Sequence, residues 1–155
     1  MSTSEIYHYV KVDEQVITCG QPTAQQLKAA AAEGFQAVIN LVPHDSQNAL
    51  PHEAELVTAS GLAYHYVPVS WQNPQEADFK KFVETLKPLA GQKVLIHCAA
   101  NYRVTAFYSL YAQQELNWTP AQADQLMSHF WKPGEFPVWD RLVQQLKANL
   151  LTRGE

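Results

Sequence analysis

His97, Cys98 and Arg103 are the residues whose types and spacing point to chemistry. They stand in VLIHCAANYRVTA, residues 94–106, where an apolar run delivers a histidine and a cysteine into a short loop that ends in an arginine and a helix-like segment. A thiolate is a strong nucleophile, but a free cysteine titrates near ~8.5 and needs help at neutral pH. The start of a helix gives that help through its unpaired N–H groups and the positive end of its dipole. The backbone N–H groups of Ala99, Ala100, Asn101, Tyr102, Arg103 and Val104 would turn inward as a nest for an anion. The Arg103 guanidinium can fork onto two oxygens of that anion. His97, just before the cysteine, can orient the loop by hydrogen bonding. The set offers a nucleophile, oxyanion stabilisation and a clamp. The plainer alternative is a small buried cysteine at a strand end, with Arg103 an ordinary helix-start residue. The ordered sequence strand–His–Cys–loop–Arg–helix weighs against it.

The elements around this loop alternate. QVITCG reads as a short strand ending at Gly20. PTAQQLKAAAAEG reads as a helix, with Thr23 and Gln26 as a capping box and Gly34 as the stop. FQAVINLV is an apolar strand. LPHEAELVTASG is a second helix, with Pro51 near its first turn and Gly61 closing it. LAYHYVPV alternates like a strand. NPQEADFKKFVETLKPLAG begins with Asn73 as cap and Pro74 as first helical residue, and Phe79, Phe82, Val83 and Leu86 share a face. QKVLIHC has a continuous apolar core, as a strand covered on both faces should. Three helices follow: a mostly apolar one over VTAFYSLYAQQEL, one capped by Thr119, Pro120 and Gln122, and one with Val138, Leu142, Val143 and Leu146 on its buried face. The order predicts an α/β domain with a mainly parallel central sheet, flanked by helices, with extra helices at the C-terminal end. Ligands in such sheets bind beyond the C-terminal ends of the strands, which is where Cys98 falls.

Composition narrows the classes. The chain has 155 residues, within the ~100–200 typical of one domain, and a single domain over 1–155 is expected. Its net charge is −4 and it has no Lys/Arg run, which argues against nucleic acid or an anionic membrane as partner. Only three arginines occur, Arg103, Arg141 and Arg153, so any anion site must be local. No segment has the ~18 apolar residues of a membrane span. The N-terminus does not resemble a secretory signal. A cytoplasmic protein with two free thiols, Cys19 and Cys98, is the expectation.

Other residues carry weaker signals. Cys19 ends a strand and reads as a small buried residue. His44 and Asp45 follow INLVP at the same sheet end as Cys98 and are alternative acid–base groups, against the plainer reading of a solvated loop. His44, His52 and His65 make only a weak metal set, with His65 facing solvent from a strand, and no metal or other cofactor is expected. Trp71 and Tyr102 can form apolar or aryl-preferring walls. Trp131 and Trp139 read as helix-packing residues.

VLIHCAANYRVTA resembles the signature loop of the protein tyrosine phosphatase superfamily, in particular its dual-specificity-like bacterial branch. ITCGQPTAQQLKAAAAEGFQAVINLVP together with GLAYHYVPV resembles the small phosphatase-like domain also found attached to beta-lactamase-hydrolase-like proteins. The resemblance spans roughly residues 15–115. It implies a dual-specificity-phosphatase-type fold and hydrolysis of phosphomonoesters through a cysteinyl-phosphate on Cys98. It also implies phosphate held by the loop amides and an arginine, no metal, and a phosphorylated small molecule or phosphoprotein as partner. Gln21, in the family-like GQP, is a further lining residue. Three departures stand out. The signature has five residues between Cys and Arg and this chain has four. Without a gap, Val104 takes the arginine position and Thr105 the Ser/Thr after it; with a one-residue deletion, Arg103 is the arginine. Asn101 replaces the mid-loop glycine, and asparagine best tolerates the positive φ needed there. The acid-bearing loop, SWQNPQEAD, lacks an early aspartate, so Asp78 is the candidate general acid with Glu76 beside it, unless both are simply first-turn charges. The short loop also suits a rhodanese-like sulfurtransferase carrying a persulfide on Cys98. A pseudophosphatase that binds an anion or a partner without turnover is the third reading.

Overall fold

Three strands that are apolar at nearly every position can exist only with both faces covered. In the computed structural model, which describes residues 2–153, these strands are β2 (Val16–Cys19), β3 (Ala37–Asn40) and β5 (Val94–His97), and every residue in them is buried. They form the middle of a five-stranded sheet with β1 (Val10–Lys11) and β4 (Ala63–Tyr66) at its edges, in the order β1-β2-β5-β3-β4. All pairings are parallel except the antiparallel β1–β2 edge.

Side chains alternate across each strand, and two apolar cores result. On one face, α1 (Ala24–Ala32) and α2 (Glu53–Ala59) bring Leu27, Ala30 and Val57 against Ile17, Cys19, Val38 and Leu95. On the other lie α3 (Glu76–Leu86), α4 (Tyr102–Glu115), α5 (Pro120–Met127) and α6 (Pro137–Arg153). Phe79, Phe82, Phe107, Leu110 and Trp139 pack there against Ile39, Val94 and Ile96. α4 is the central helix of that layer and is buried continuously from Arg103 to Ala112. No helix among the described residues is long and apolar enough to cross a membrane.

The expected capping boxes form in α1, between Thr23 and Gln26, and in α5, between Thr119 and Gln122. Two of the helix starts and one buried face differ from the sequence reading. α2 starts at Glu53, because His52 adopts a left-handed φ of 59° and leaves Pro51 outside the helix. α3 is capped by Gln75 rather than Asn73, and its Asp78 carboxylate accepts the Gln75 N–H at 2.8 Å. Val138 is exposed, while Trp139 joins Leu142, Val143 and Leu146 on the buried stripe of α6. That spacing of i, i+3, i+4 and i+7 is the helical face the core requires. The short edge strand β1 has no counterpart in the sequence reading.

Candidate active site

The register of the sheet delivers the cysteine. His97 pairs with Cys19 on β2 and with Asn40 on β3, so Cys98 is the first residue past the C-terminal ends of three adjacent strands. Its N–H still donates to the Cys19 carbonyl at 3.2 Å, and the Gln21 N–H donates to the Ala99 carbonyl at 3.0 Å. Asn101 then takes a φ of 70° and α4 begins at Tyr102. The Thr105 N–H donates to the Asn101 carbonyl at 3.1 Å as a first α-type bond. Tyr102, Arg103 and Val104 precede it, in the turn whose N–H groups find no intrahelical acceptor. The start of a central, buried helix thus lies directly after the thiol.

An N-terminal strap holds this loop from behind. The Asn101 Nδ2 donates to the His8 carbonyl at 2.8 Å and to the Thr18 hydroxyl at 3.0 Å. His8 Nδ1 lies 2.8 Å from the Ala100 carbonyl, and the Gly20 N–H donates to the Tyr7 carbonyl at 2.7 Å. Glycine is required at position 20, since a Cβ there would sit 2.6 Å from the Ala99 carbonyl oxygen and 2.9 Å from the Tyr7 ring.

Cys98 and Arg103 line one cavity of about 940 Å³. Ala99 and Ala100 line it with them, and Trp71, Tyr102 and Phe136 form its aromatic side. Asp45, Ser46, Gln47 and Asn48 contribute polar lining. Cys98 is 1% exposed and Arg103 is 7% exposed. The Arg103 Nη1 donates to the Val69 carbonyl at 2.7 Å. Among the described residues no carboxylate forms an ion pair with it. Val104 points the other way and is wholly buried in the apolar core. Of the two loop alignments, the cavity therefore receives its guanidinium from Arg103, and position 104 contributes only backbone.

No family model matches the chain. A crystal structure of a phosphatase-like DUF442 protein from Shewanella putrefaciens CN-32 superposes with a TM-score of 0.85 at 35% identity, covering 94% of this chain and 92% of that one. The chain belongs to the DUF442 family. The same fold occurs in Tk-PTP, with a TM-score of 0.74 at 19% identity over 91% of this chain and 97% of that one. It occurs also in TpbA from P. aeruginosa, with a TM-score of 0.73 at 15% identity over 96% of this chain and 92% of that one. The architecture is that of the tyrosine and dual-specificity phosphatases. In sequence, a beta-lactamase hydrolase-like protein of Xylella fastidiosa (strain Temecula1 / ATCC 700964) is 33% identical over 104 residues, 65% of this chain. The match spans only 24% of that protein's length.

Within this DUF442 chain the candidate residues divide by position. Asp78 is not brought to the cavity, because its carboxylate caps α3. Glu76 accepts hydrogen bonds from Gln145 and Asn149 on α6, both at 3.1 Å. Asp45 is the carboxylate among the lining residues, on an exposed stretch of the β3–α2 connection. His44 stacks on the Tyr66 ring with centroids 3.8 Å apart, and its Nε2 lies 3.0 Å from the Tyr64 hydroxyl. His65 is half-buried rather than facing solvent, and His52 lies beside Glu55. Among the described residues no three His, Cys, Asp or Glu side chains gather as a metal site. Cys19 is a free, fully buried thiol, and burial, aided by the neighbouring Cys98, pushes its titration well up.

His97, wholly buried, does not reach the cavity. Its Nδ1 is 3.2 Å from the Cys98 carbonyl and its Nε2 is 2.7 Å from Glu53 Oε2. Gln21 Nε2 donates to Glu53 Oε1 at 2.8 Å, so the GQP segment serves this pair rather than the cavity wall. Burial alone would raise the Glu53 titration, but the His97 hydrogen bond and charge, with Gln21, hold it below the usual carboxylate range. Glu53 and the Tyr7–His8 strap went unread in the sequence. A glutamate in a helix's first turn looks like a dipole charge, and no spacing rule ties it to a histidine 44 residues later.

Proposed function

We propose that the chain is a cysteine-dependent phosphatase acting on phosphomonoesters through a cysteinyl-phosphate on Cys98. One observation carries the reading. A nearly buried guanidinium, with no carboxylate partner among the described residues, shares a cavity with a thiol at a helix start. An uncompensated buried cation is costly, and an anionic ligand relieves that cost. The cavity is large enough for a phosphate with an organic group attached. The phosphatase architecture of the DUF442 relative and of the wider neighbours supports the same chemistry.

In the proposed sequence, the Cys98 thiolate attacks phosphorus in line with the ester oxygen. The S–P bond forms as the P–O bond breaks, while the N–H groups of the loop and Arg103 hold the equatorial oxygens. Asp45 gives its proton to the leaving oxygen. Water then attacks phosphorus and returns a proton to Asp45. The S–P bond breaks, releasing inorganic phosphate and restoring the thiolate. The aromatic side made by Trp71, Tyr102 and Phe136 favours an aryl ester, on a small molecule or on a protein.

The test is phosphate release from an aryl phosphate by the purified protein and by Cys98→Ser. Equal rates would sink the proposal. Cys98-dependent sulfur transfer from thiosulfate to cyanide, without phosphate release, would assign a sulfurtransferase instead. Blank assays combined with thermal protection by phosphate would assign an anion-binding pseudophosphatase.

A further inference from the structure

The proposed reaction does not use the N-terminal strap, although the strap touches the Cys98 loop. Its course is fixed by several anchors. The Thr3 N–H donates to Glu33 Oε2 at 2.9 Å, Ile6 is buried in the core that α1 covers, and the Tyr7 carbonyl accepts the Gly20 N–H at 2.7 Å. His8 follows at a left-handed φ of 53°. Its ring is stacked on both faces, on Tyr7 with centroids 3.9 Å apart and on Phe130 at 4.5 Å. So held, its Nδ1 lies 2.8 Å from the Ala100 carbonyl oxygen. A carbonyl only accepts hydrogen bonds, so Nδ1 carries the proton. The Asn101 Nδ2 returns a bond to the His8 carbonyl at 2.8 Å. His8 thus clasps the Ala100–Asn101 peptide through both residues that it joins.

That peptide has a reason to turn over. Asn101 stands at a φ of 70°, an uncommon and costly conformation for any residue but glycine. Rotating the peptide unit before it would return that φ to the ordinary negative range, as in the exchange of a type II for a type I turn. The rotation would break the His8 bond and swing the Ala100 oxygen into the loop. A bound anion would then meet the negative end of a peptide dipole rather than a nest of N–H groups. The preceding carbonyl, that of Ala99, is tied down by a backbone donor, the Gln21 N–H at 3.0 Å. The Ala100 carbonyl is tied by a side chain. Ala99 and Ala100 line the cavity, whereas neither His8 nor Gln21 does, so both carbonyl oxygens are drawn toward groups outside it.

We propose that His8 is a positioning residue for the anion site. Its Nδ1–H locks the Ala100–Asn101 peptide in the orientation that keeps a carbonyl oxygen away from the anion.

This role rests on the anion site of the phosphatase reading, but its test reads binding rather than turnover. The affinity for inorganic phosphate is measured by titration calorimetry for wild type, His8→Phe and His8→Asn. Phenylalanine keeps a ring between Tyr7 and Phe130 but has no donor. Asparagine gives up the ring but keeps an N–H close to the place of Nδ1 and tolerates positive φ. His8→Phe should weaken phosphate binding about tenfold, the worth of one net hydrogen bond, and His8→Asn should recover most of the loss. A role in packing alone predicts the reverse order. Any result in which His8→Asn binds no better than His8→Phe overturns the proposal, and so does a wild type that binds no phosphate. If a variant fails to fold, nitrogen-15 NMR of histidine in the wild-type protein decides. The His8 ring should be protonated at Nδ1, and a bare Nδ1 overturns the proposal. The expected order of affinities without Cys98-dependent phosphate release would remove the phosphatase reading and leave this role standing. Cys98-dependent release with unaltered binding in His8→Phe would do the opposite.

Discussion

The two sides of the Cys98 loop are built differently. Behind it, Gln21, Glu53 and His97 form one line of hydrogen bonds, and Asn101 separately ties the loop to Thr18 and His8. Gly20 sits so close that a single added carbon does not fit. In front of it, Asp45, Gln47, Asn48, Ser70 and Gln72 line the cavity from exposed connections. The rear is over-determined and the front is open. Groups that must be aimed before the reaction gain most from such support, because a preorganised dipole or N–H costs no rearrangement when charge develops. A proton donor on an exposed loop is aimed only once substrate arrives. The contrast points to an anion site that is strong by construction and to leaving-group protonation that is weaker and more substrate-dependent.

Substitutions along this axis can break or sharpen that contrast. Cys98→Ser should reduce phosphate release to background while phosphate still raises the melting temperature, since only the nucleophile is lost; loss of the thermal protection as well would mean that the thiol itself holds the anion. Arg103→Ala should cost about 10²–10³ in kcat/KM, roughly 3–4 kcal/mol, and most of the thermal protection. A tenfold effect or less would show that the backbone nest, not the guanidinium, dominates.

Smaller effects are expected further out. Asn101→Ala removes buried hydrogen bonds and places alanine at a φ of 70°. Urea unfolding should show a loss of about 2–3 kcal/mol. Asp45→Asn should slow turnover of a poor leaving group only about tenfold, below the usual ~10²–10⁴ of a fixed general acid, with an activated aryl ester nearly unaffected. A loss of 10³ or more would show the front to be as organised as the rear. Asp78→Ala should cost about 1 kcal/mol of stability through the lost cap and leave kcat unchanged; a fall in kcat would return Asp78 to the reaction.

The Cys98 loop and much of the fold were legible along the chain, whereas most of the support behind the loop was not. The thiol, the arginine and the turn at Asn101 are local features, spaced within one loop. The capping boxes of α1 and α5 are local too, and continuous apolar strands imply a covered parallel sheet. Two expectations part from the geometry at the start of α3. Asp78 looked catalytic because it follows the strand that should carry the acid, yet the Gln75 N–H three residues earlier claims its carboxylate. Asn73 and Pro74 looked like the start of α3 by residue type, but the chain does not enter the helix until Glu76.

What the sequence alone determined is the order strand–cysteine–turn–helix, because hydrophobic period, cap chemistry and tolerance of positive φ act over a few residues. What only the tertiary structure decided is which side chain goes where. Arg103 and Val104 are neighbours in the chain, but on the first turn of α4 they diverge, one into the cavity and one into the core. Glu53 and His97 meet only because α2 begins above the end of the central strand. Such contacts are set by packing of the layers, which brings distant residues to bonding distance without leaving a pattern in the sequence.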